Sequence, residues 1–141
     1  MIEQFHGQSL DAHYLGYFEC FNRQLFFEAH DVLEELWLAQ GRGPNYAFYK
    51  GLIQLAGAFV HLKKNRLRPA AALFRLARTN LTPYGSHHEH LELVQVGRMI
   101  ERWLGELETS EFSRNPLAAD NAPRLQLPRQ APMDCAPISV S

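Results

Sequence analysis

Apolar residues recur every three or four positions in five segments of the chain, which is the spacing of one face of an α-helix. These segments predict helices over approximately residues 9–22, 25–38, 46–64, 69–80 and 86–107. Glycine and proline interrupt the pattern between them, as in residues 41–45 and 83–85. The sequence therefore predicts an all-α single domain of five helices with a bundle-like core.

The starts of several predicted helices carry residues suited to that position. Ser9 is expected to cap the first helix. Pro69 is expected in the first turn of the fourth, where its missing N–H has no helical acceptor. Ser86 and Glu89 have the spacing of a capping box and predict that the fifth helix begins there. His87, His88 and His90 are then expected at an exposed helix start, where their side chains diverge too much to share a metal ion.

The composition changes at Ser113. Five of the eight prolines follow this residue, among alanine, asparagine and serine. Such a segment buries too little apolar surface to fold alone. We therefore expect a helical domain over residues 1–112 and a proline-rich tail over residues 113–141, extended and draped over the domain or a partner.

Overall composition narrows the class of protein. The chain has 141 residues, 46% of them hydrophobic, which is enough for one domain with a core. Its formal net charge of -1 argues against a general nucleic-acid binder. No apolar run approaches the roughly 20 residues that span a bilayer, and the N-terminus lacks the pattern of a signal peptide. These features predict a cytoplasmic protein, and they leave open whether it forms a homo-oligomer.

The second helix places two ionisable residues on its apolar side. His30 and Glu34 are one turn apart and fall in one arc with Phe26, Leu33 and Trp37, given an advance of about 100° per residue. They are therefore expected to be buried, which costs free energy unless a partner, a proton or a metal compensates. A separate acidic strip is expected to face solvent; it consists of Glu28, Asp31 and Glu35.

The third helix has a face of small and polar residues. Gln54 and His61 are seven residues apart and share this face with Gly51 and Gly57. Each glycine costs a helix interior about 1 kcal/mol relative to alanine, so the pair predicts close approach of another helix or space for a bound group. The simplest neighbour is the helix that carries His30.

These motifs resemble a known family. The run from Phe26 to Trp37 contains the pattern His-x-x-x-Glu-x-x-Trp, and Gly51-Leu52-Ile53-Gln54 is followed by His61. Both features are similar to the domain of unknown function 309 family, over about half of the chain. Asp31 departs from the glutamate more usual in that family, with the same charge. The resemblance implies an all-helical fold and a metal site at the His/Glu motif, and it implies no established activity.

Three interpretations fit the cluster of His30, Glu34, His61 and Gln54. In the first, His30, Glu34 and His61 bind a divalent metal, zinc or another late divalent ion, and Gln54 either supports these ligands or contacts a substrate. An open coordination position would hold water and favour hydrolysis, although Asp31 and Glu35 face away on the helical wheel and no general base remains.

The other two interpretations need no metal. In one, the same residues form a buried polar network in a non-catalytic helical interaction or structural module. In the other, a protonated histidine and Trp37, as a wall, bind a small polar or anionic molecule. We take metal binding as the first hypothesis and the structural module as its rival.

A group of basic residues in the middle of the chain needs no functional explanation. The middle of the chain is basic, and its cations are Lys63, Lys64, Arg66, Arg68, Arg75 and Arg78. With the total charge near zero, we expect these side chains to be solvated or to pair within the domain.

Overall fold

The computed structural model describes residues 10–126 and residue 128. It contains five α-helices: α1 Ala12–Asn22, α2 Phe26–Gln40, α3 Tyr46–Lys63, α4 Leu67–Leu81 and α5 Leu93–Thr109. A 3-10 turn at Thr82–Tyr84 follows α4, and a short antiparallel hairpin pairs β1 His87–His88 with β2 Leu91–Glu92. The predicted all-α, five-helix fold is confirmed.

Helix α3 is the centre of the domain. It packs against α2 on one side and α4 on another, while α1 packs against α2 and α5 against α4. The ring of Phe59 in α3 shows why this helix is apolar on most of its faces. Its centroid lies 5.1–5.5 Å from the rings of Phe21, Phe26, Phe74 and Trp103, which come from the other four helices.

Glycines bring α4 close to α3. A Cβ atom at Gly51 would lie 2.8 Å from Cγ of Leu81, and one at Gly57 would lie 3.1 Å from Cδ1 of Leu73. The predicted close approach of another helix is therefore confirmed. The helix that packs closely against both glycines is α4, whereas the sequence had suggested α2. Gly57 also faces α2, because its Cβ would be 3.9 Å from Cδ2 of His30.

The starts of the first and fourth helices differ slightly from the prediction. Asp11 caps α1 by accepting a hydrogen bond from the backbone N–H of His13 at 2.7 Å, and Ser9 lies outside the described residues. Helix α4 begins at Leu67, so Pro69 occupies the third position of its first turn. The first turn leaves its N–H groups without helical acceptors, so proline is tolerated there.

The prediction that the fifth helix starts at Ser86 was wrong. Residues 87–92 form the hairpin, and its two turn residues, Glu89 and His90, have φ values of 49° and 63°. A capping box is therefore absent from this segment. His88 is half-buried, not exposed at a helix start, because its ring packs 4.7 Å from the ring of Phe48 and its Nε2 lies 2.6 Å from Oδ1 of Asn45. Tertiary contacts of the hairpin outweigh the local helix-start signal.

The described part of the tail is extended and lies on the domain. The side chain of Asn22 donates to the carbonyl of Leu125 at 2.8 Å and accepts from its N–H at 2.7 Å. Asn115 donates to the carbonyl of Leu62 at 2.7 Å. These contacts explain how a segment without helix or strand stays against the core as far as residue 126.

Several cations of the basic middle have partners within the domain. Arg75 pairs with Glu108 at 2.9 Å and Arg78 with Glu101 at 3.0 Å. The guanidinium of Arg68 lies 4.5 Å from the ring centre of Phe112. The predicted intramolecular role is confirmed for these three arginines.

Across residues 10–126, none of the helices is both long enough and apolar enough to cross a membrane.

Candidate metal site and adjoining groove

One turn of α2 brings three possible metal ligands together. His30, Asp31 and Glu34 each offer a nitrogen or oxygen atom, and these atoms all lie within 4.8 Å of one another. Nδ1 of His30 is 3.2 Å from Oδ1 of Asp31. We call these three residues the α2 triad.

The prediction that His30 and Glu34 belong to a buried cluster was wrong. Both residues are half-buried, the His30 side chain is 31% exposed, and none of the buried residues that the structure describes is polar or charged. The buried stripe of α2 is narrower than the predicted arc and consists of Phe26, Ala29, Leu33 and Leu36. His30 and Glu34 lie at its edge, where water still reaches them and compensates their polarity.

Asp31 was expected on the opposite, solvated strip, and the residue is exposed as predicted, but its separation from His30 was wrong. Its side chain is 52% exposed, but its carboxylate turns toward the imidazole of His30. Adjacent residues of a helix are about 100° apart, so an aspartate beside an edge residue can reach over the boundary. The other strip residues do not join the triad: Glu28 is exposed, and Glu35 accepts from Nε2 of His13 at 3.2 Å.

A groove of about 200 Å³ adjoins the α2 triad. Helices α2, α3 and α4 all contribute to it, and its lining residues are Phe27, His30, Ile53, Gln54, Gly57, Val60, His61 and Leu73. His30 belongs to both the triad and the groove. Its Nδ1 faces Asp31, whereas its Cδ2 lies toward Gly57. A ligand in the groove would therefore contact the same imidazole that a metal ion would use.

His61 lines the groove and is not one of the triad's closely spaced ligand atoms. The residue is half-buried, but its Nδ1 is shielded from solvent and has no hydrogen-bond partner among the described residues. Burial lowers the pKa of His61, and the positive charges of Arg66 and Lys64 lower it further. The imidazole is thus neutral at pH 7, which leaves a nitrogen lone pair for a ligand or a proton.

Gln54 is held in one orientation. Its Oε1 accepts a hydrogen bond from Nδ2 of Asn80 on α4 at 2.7 Å. Its amide N–H groups have no acceptor in the described part of the chain. Gln54 also lines the groove.

Trp37 does not line this groove. Its indole N–H donates to the carbonyl of Tyr46 at 3.1 Å, and its ring centroid lies 5.2 Å from that of Tyr46. These contacts join the C-terminal half of α2 to the first turn of α3. The arrangement gives Trp37 a packing role at the helix junction.

Sequence reasoning missed three contributors to the site. Asp31 was placed on the solvated strip and not counted among the possible metal ligands, and Phe27 and Leu73 were not recognised as groove residues. Asp31 was detectable as the second carboxylate within one turn of His30. Phe27 and Leu73 carried no signal of their own, because their position in the groove depends on how α4 packs.

The fold and the site define a helical domain with a His/Asp/Glu triad beside a small groove. Residues 14–73 match the sequence model of a family described as a domain of unknown function (DUF309). This match supports the assignment of that segment to the family, and the segment contains the triad and every residue that lines the groove in the described part of the chain. Comparisons with curated proteins and with solved structures gave no match.

Proposed function

We propose that the protein binds one late divalent metal ion through the α2 triad. The observation that carries this proposal is the 4.8 Å limit on the distances among the three ligand atoms of His30, Asp31 and Glu34. Zinc ligands lie about 2.0–2.1 Å from the metal, so tetrahedral ligand atoms are about 3.3 Å apart. The half-exposed carboxylates need to move by only about 1–2 Å to reach that spacing.

The chemistry of the donors also fits such an ion. One imidazole and two carboxylates suit zinc and its late-transition neighbours better than an all-oxygen site would. The two negative charges of Asp31 and Glu34 balance a divalent cation. Bonds from His30 and Asp31 to the cation would replace the present hydrogen bond between these two residues. Because the triad is partly open to solvent, a bound ion would keep a coordination position for water.

Metal-assisted hydrolysis is the reaction class that this arrangement fits. A bound divalent ion lowers the pKa of its water ligand toward neutrality. His61 is neutral at pH 7 and lines the groove that also contains His30, so it supplies the proton acceptor that the sequence alone did not identify. In this proposal His61 accepts a proton in the groove and is not a metal ligand.

The rival function, a structural module with a buried polar network, has less support. Its residues are half-exposed, and exposed ion pairs contribute only about 0–1 kcal/mol to stability. A network of that strength would not explain three ionisable residues at the edge of a groove.

The test is metal titration of protein prepared without a histidine tag. Isothermal titration calorimetry and elemental analysis should show one Zn²⁺ per chain. Asp31→Asn and Glu34→Gln should each weaken binding at least about tenfold, by analogy with the loss caused by removing supporting groups around a metal. Glu28→Gln is the matched control, because it removes the same charge from the same helix outside the triad.

His61→Gln separates the two metal arrangements. The proposal expects unchanged zinc affinity in this variant, whereas His61 as a third ligand would give a loss as large as that of Asp31→Asn. Wild-type protein that binds no stoichiometric metal, or that binds equally well after both triad substitutions, would refute the proposal.

A further inference from the structure

Helix α4 has two apolar stripes, and only one of them faces the core. The buried stripe consists of Ala70, Ala71, Phe74, Ala77 and Leu81. The second stripe has the helical spacing i, i+3, i+4, i+7 and consists of Pro69, Ala72, Leu73 and Leu76. Leu73 is half-buried at the groove, and the other three residues of this stripe are exposed. An apolar stripe that faces solvent indicates a surface that another chain covers.

Helix α2 extends this apolar surface on the other side of the groove. Phe27 lines the groove, and Leu38 follows eleven residues later, at about 20° from it around the helix. Their side chains are 59% and 68% exposed, and that of Leu76 on α4 is 48% exposed. These are three of the five large apolar side chains that are exposed in the described part of the chain. We call the two exposed apolar surfaces, with the groove between them, the α2/α4 face.

The two sides of the α2/α4 face have opposite charges. Helix α2 contains no lysine or arginine, and its carboxylates are Glu28, Asp31, Glu34 and Glu35. Helix α4 contains no aspartate or glutamate, and its cations are Arg68, Arg75 and Arg78. Arg75 and Arg78 pair with glutamates of α5 but remain partly exposed. A second copy of the chain therefore matches this face when its α2 lies over α4, whereas α2 over α2 would set carboxylates against carboxylates.

One symmetry operation produces the favourable pairing. Helices α2 and α4 lie on opposite sides of the groove, and both pack on α3. Rotation by 180° about an axis that is parallel to α3 and passes above the groove places α2 of each copy over α4 of the other, as in an isologous dimer. The two grooves then face each other. Joined, two grooves of about 200 Å³ each reach the range of about 300–1,000 Å³ that is usual for ligand sites.

We infer that the protein forms a homodimer through the α2/α4 face, with α2 of each copy packed on the exposed apolar stripe of α4 of the other. This inference does not depend on metal binding. The 15 residues of α4 make the face about 22 Å long, and two helix spacings make it about 16–20 Å wide. The projected area of roughly 400 Å² per copy is small for a specific interface, so the dimer should be reversible, with a dissociation constant of about 1 μM to 1 mM.

Sedimentation equilibrium of the full chain, at protein concentrations spanning that range, measures the dimer. EDTA is included so that metal ions cannot link two copies. Leu76→Glu places a carboxylate opposite the acidic α2 of the second copy and should weaken dimerisation at least about tenfold. Val94→Glu is the matched control, because Val94 is 44% exposed and lies on α5, outside the α2/α4 face.

The sign of the charge at position 76 tests the orientation of the two copies. If α2 lies over α4, Leu76→Lys faces carboxylates and should dimerise at least about tenfold more tightly than Leu76→Glu. Salt at about 0.5 M should reduce this difference, because it screens exposed charges. If α4 lay over α4 instead, the two variants would be equally impaired, which would overturn the inferred pairing.

Phe27→Ser tests the α2 side without adding a charge and should also weaken dimerisation. Circular dichroism checks that each variant is folded. A wild-type chain that stays monomeric throughout the concentration range would overturn the inference. So would a dimer that survives both Leu76→Glu and Phe27→Ser, or one that Val94→Glu weakens equally. Zinc titration is a separate measurement, so the proposed metal binding would stand or fall independently of these results.

Discussion

The close contact between α3 and α4 can be tested by adding a single methyl group. In Gly51→Ala, the new Cβ would lie 2.8 Å from Cγ and 2.9 Å from Cδ2 of Leu81, and 3.2 Å from Cβ of Asn80. Cγ and Cβ are close to the backbone, so a small rotation at the end of a side chain cannot relieve the overlap. Either Leu81 must change its first side-chain rotamer or α4 must move away.

The expected free-energy change is the difference between two opposing effects. Overpacking a core typically costs about 1–3 kcal/mol, and the blocked neighbours place this site in the upper half of that range. Alanine in place of glycine favours a helix by about 1 kcal/mol. Gly51→Ala should therefore lower the free energy of unfolding by about 1–2 kcal/mol.

Gly97→Ala is the matched control on α5. A Cβ atom there meets nothing within 4 Å, so only the helix preference acts. This variant should be more stable than the parent by about 0.5–1 kcal/mol. The two substitutions are chemically identical and should change stability in opposite directions.

Urea unfolding followed by circular dichroism measures both changes in the free energy of unfolding. The slope of this free energy against urea concentration should be the same in the parent and in both variants. Thermal midpoints should move by roughly 3–5 °C for each kcal/mol in a domain of this size. If Gly51→Ala were as stable as Gly97→Ala, α4 would not approach α3 in the way described, and the shape of the groove that both helices line would be wrong.

Three further predictions concern the site and the tail. Zinc at one hundred times its dissociation constant should raise the free energy of unfolding by about 2.7 kcal/mol, measured by urea unfolding, and Glu34→Gln, binding at least about tenfold more weakly, should reduce the increase to about 1.4 kcal/mol or less at the same zinc concentration. His61 has a lowered pKa in the folded protein, so the unfolded chain binds its proton first as the pH falls. Its contribution to stability is therefore complete above the unfolded pKa of about 6.5 and declines as the pH falls through that value toward the folded pKa. His61→Gln should consequently lose less stability than the parent between pH 8 and pH 5.5 in metal-free urea titrations. An equal loss in both proteins would contradict that assignment. Asn22→Ala removes both hydrogen bonds to Leu125 and should cost about 1–2 kcal/mol while exposing residues 113–126 to limited proteolysis; an unchanged cleavage rate would show that other contacts hold the tail.

The candidate site was predicted in part. The sequence pointed to His30 and Glu34 on one face of α2 and to Gln54 and His61 on one face of α3, and the structure places His30, Gln54 and His61 around one groove. It also brings the carboxylate of Asp31, which is exposed as the helical wheel predicted, within 4.8 Å of the possible ligand atoms of His30 and Glu34. A wheel gives the direction of each Cβ atom but not the rotamer that a side chain at a boundary adopts.

The outcome at residues 86–92 has a similar cause. Ser86 and Glu89 have helix-start spacing, yet the chain forms a hairpin there. The ring of His88 packs on Phe48 and Tyr84, and Glu89 accepts from the side chain of Asn45 at 2.8 Å. These partners are about 40 residues earlier in the chain or belong to the preceding turn, and no local pattern records them.

The amino-acid sequence by itself determined the number and approximate positions of the helices, the resemblance to the family, and the residue types available in the candidate site. These depend on periodicity, turn residues and motif spacing, which are local properties of the chain. Only the tertiary structure decided that His30 and Glu34 lie at the edge of the core, that Asp31 joins them, and that α4 closes the groove. Burial at the edge of a helix face depends on where the neighbouring helices end and how closely their small residues let them approach, and those distances exist only once the helices have packed.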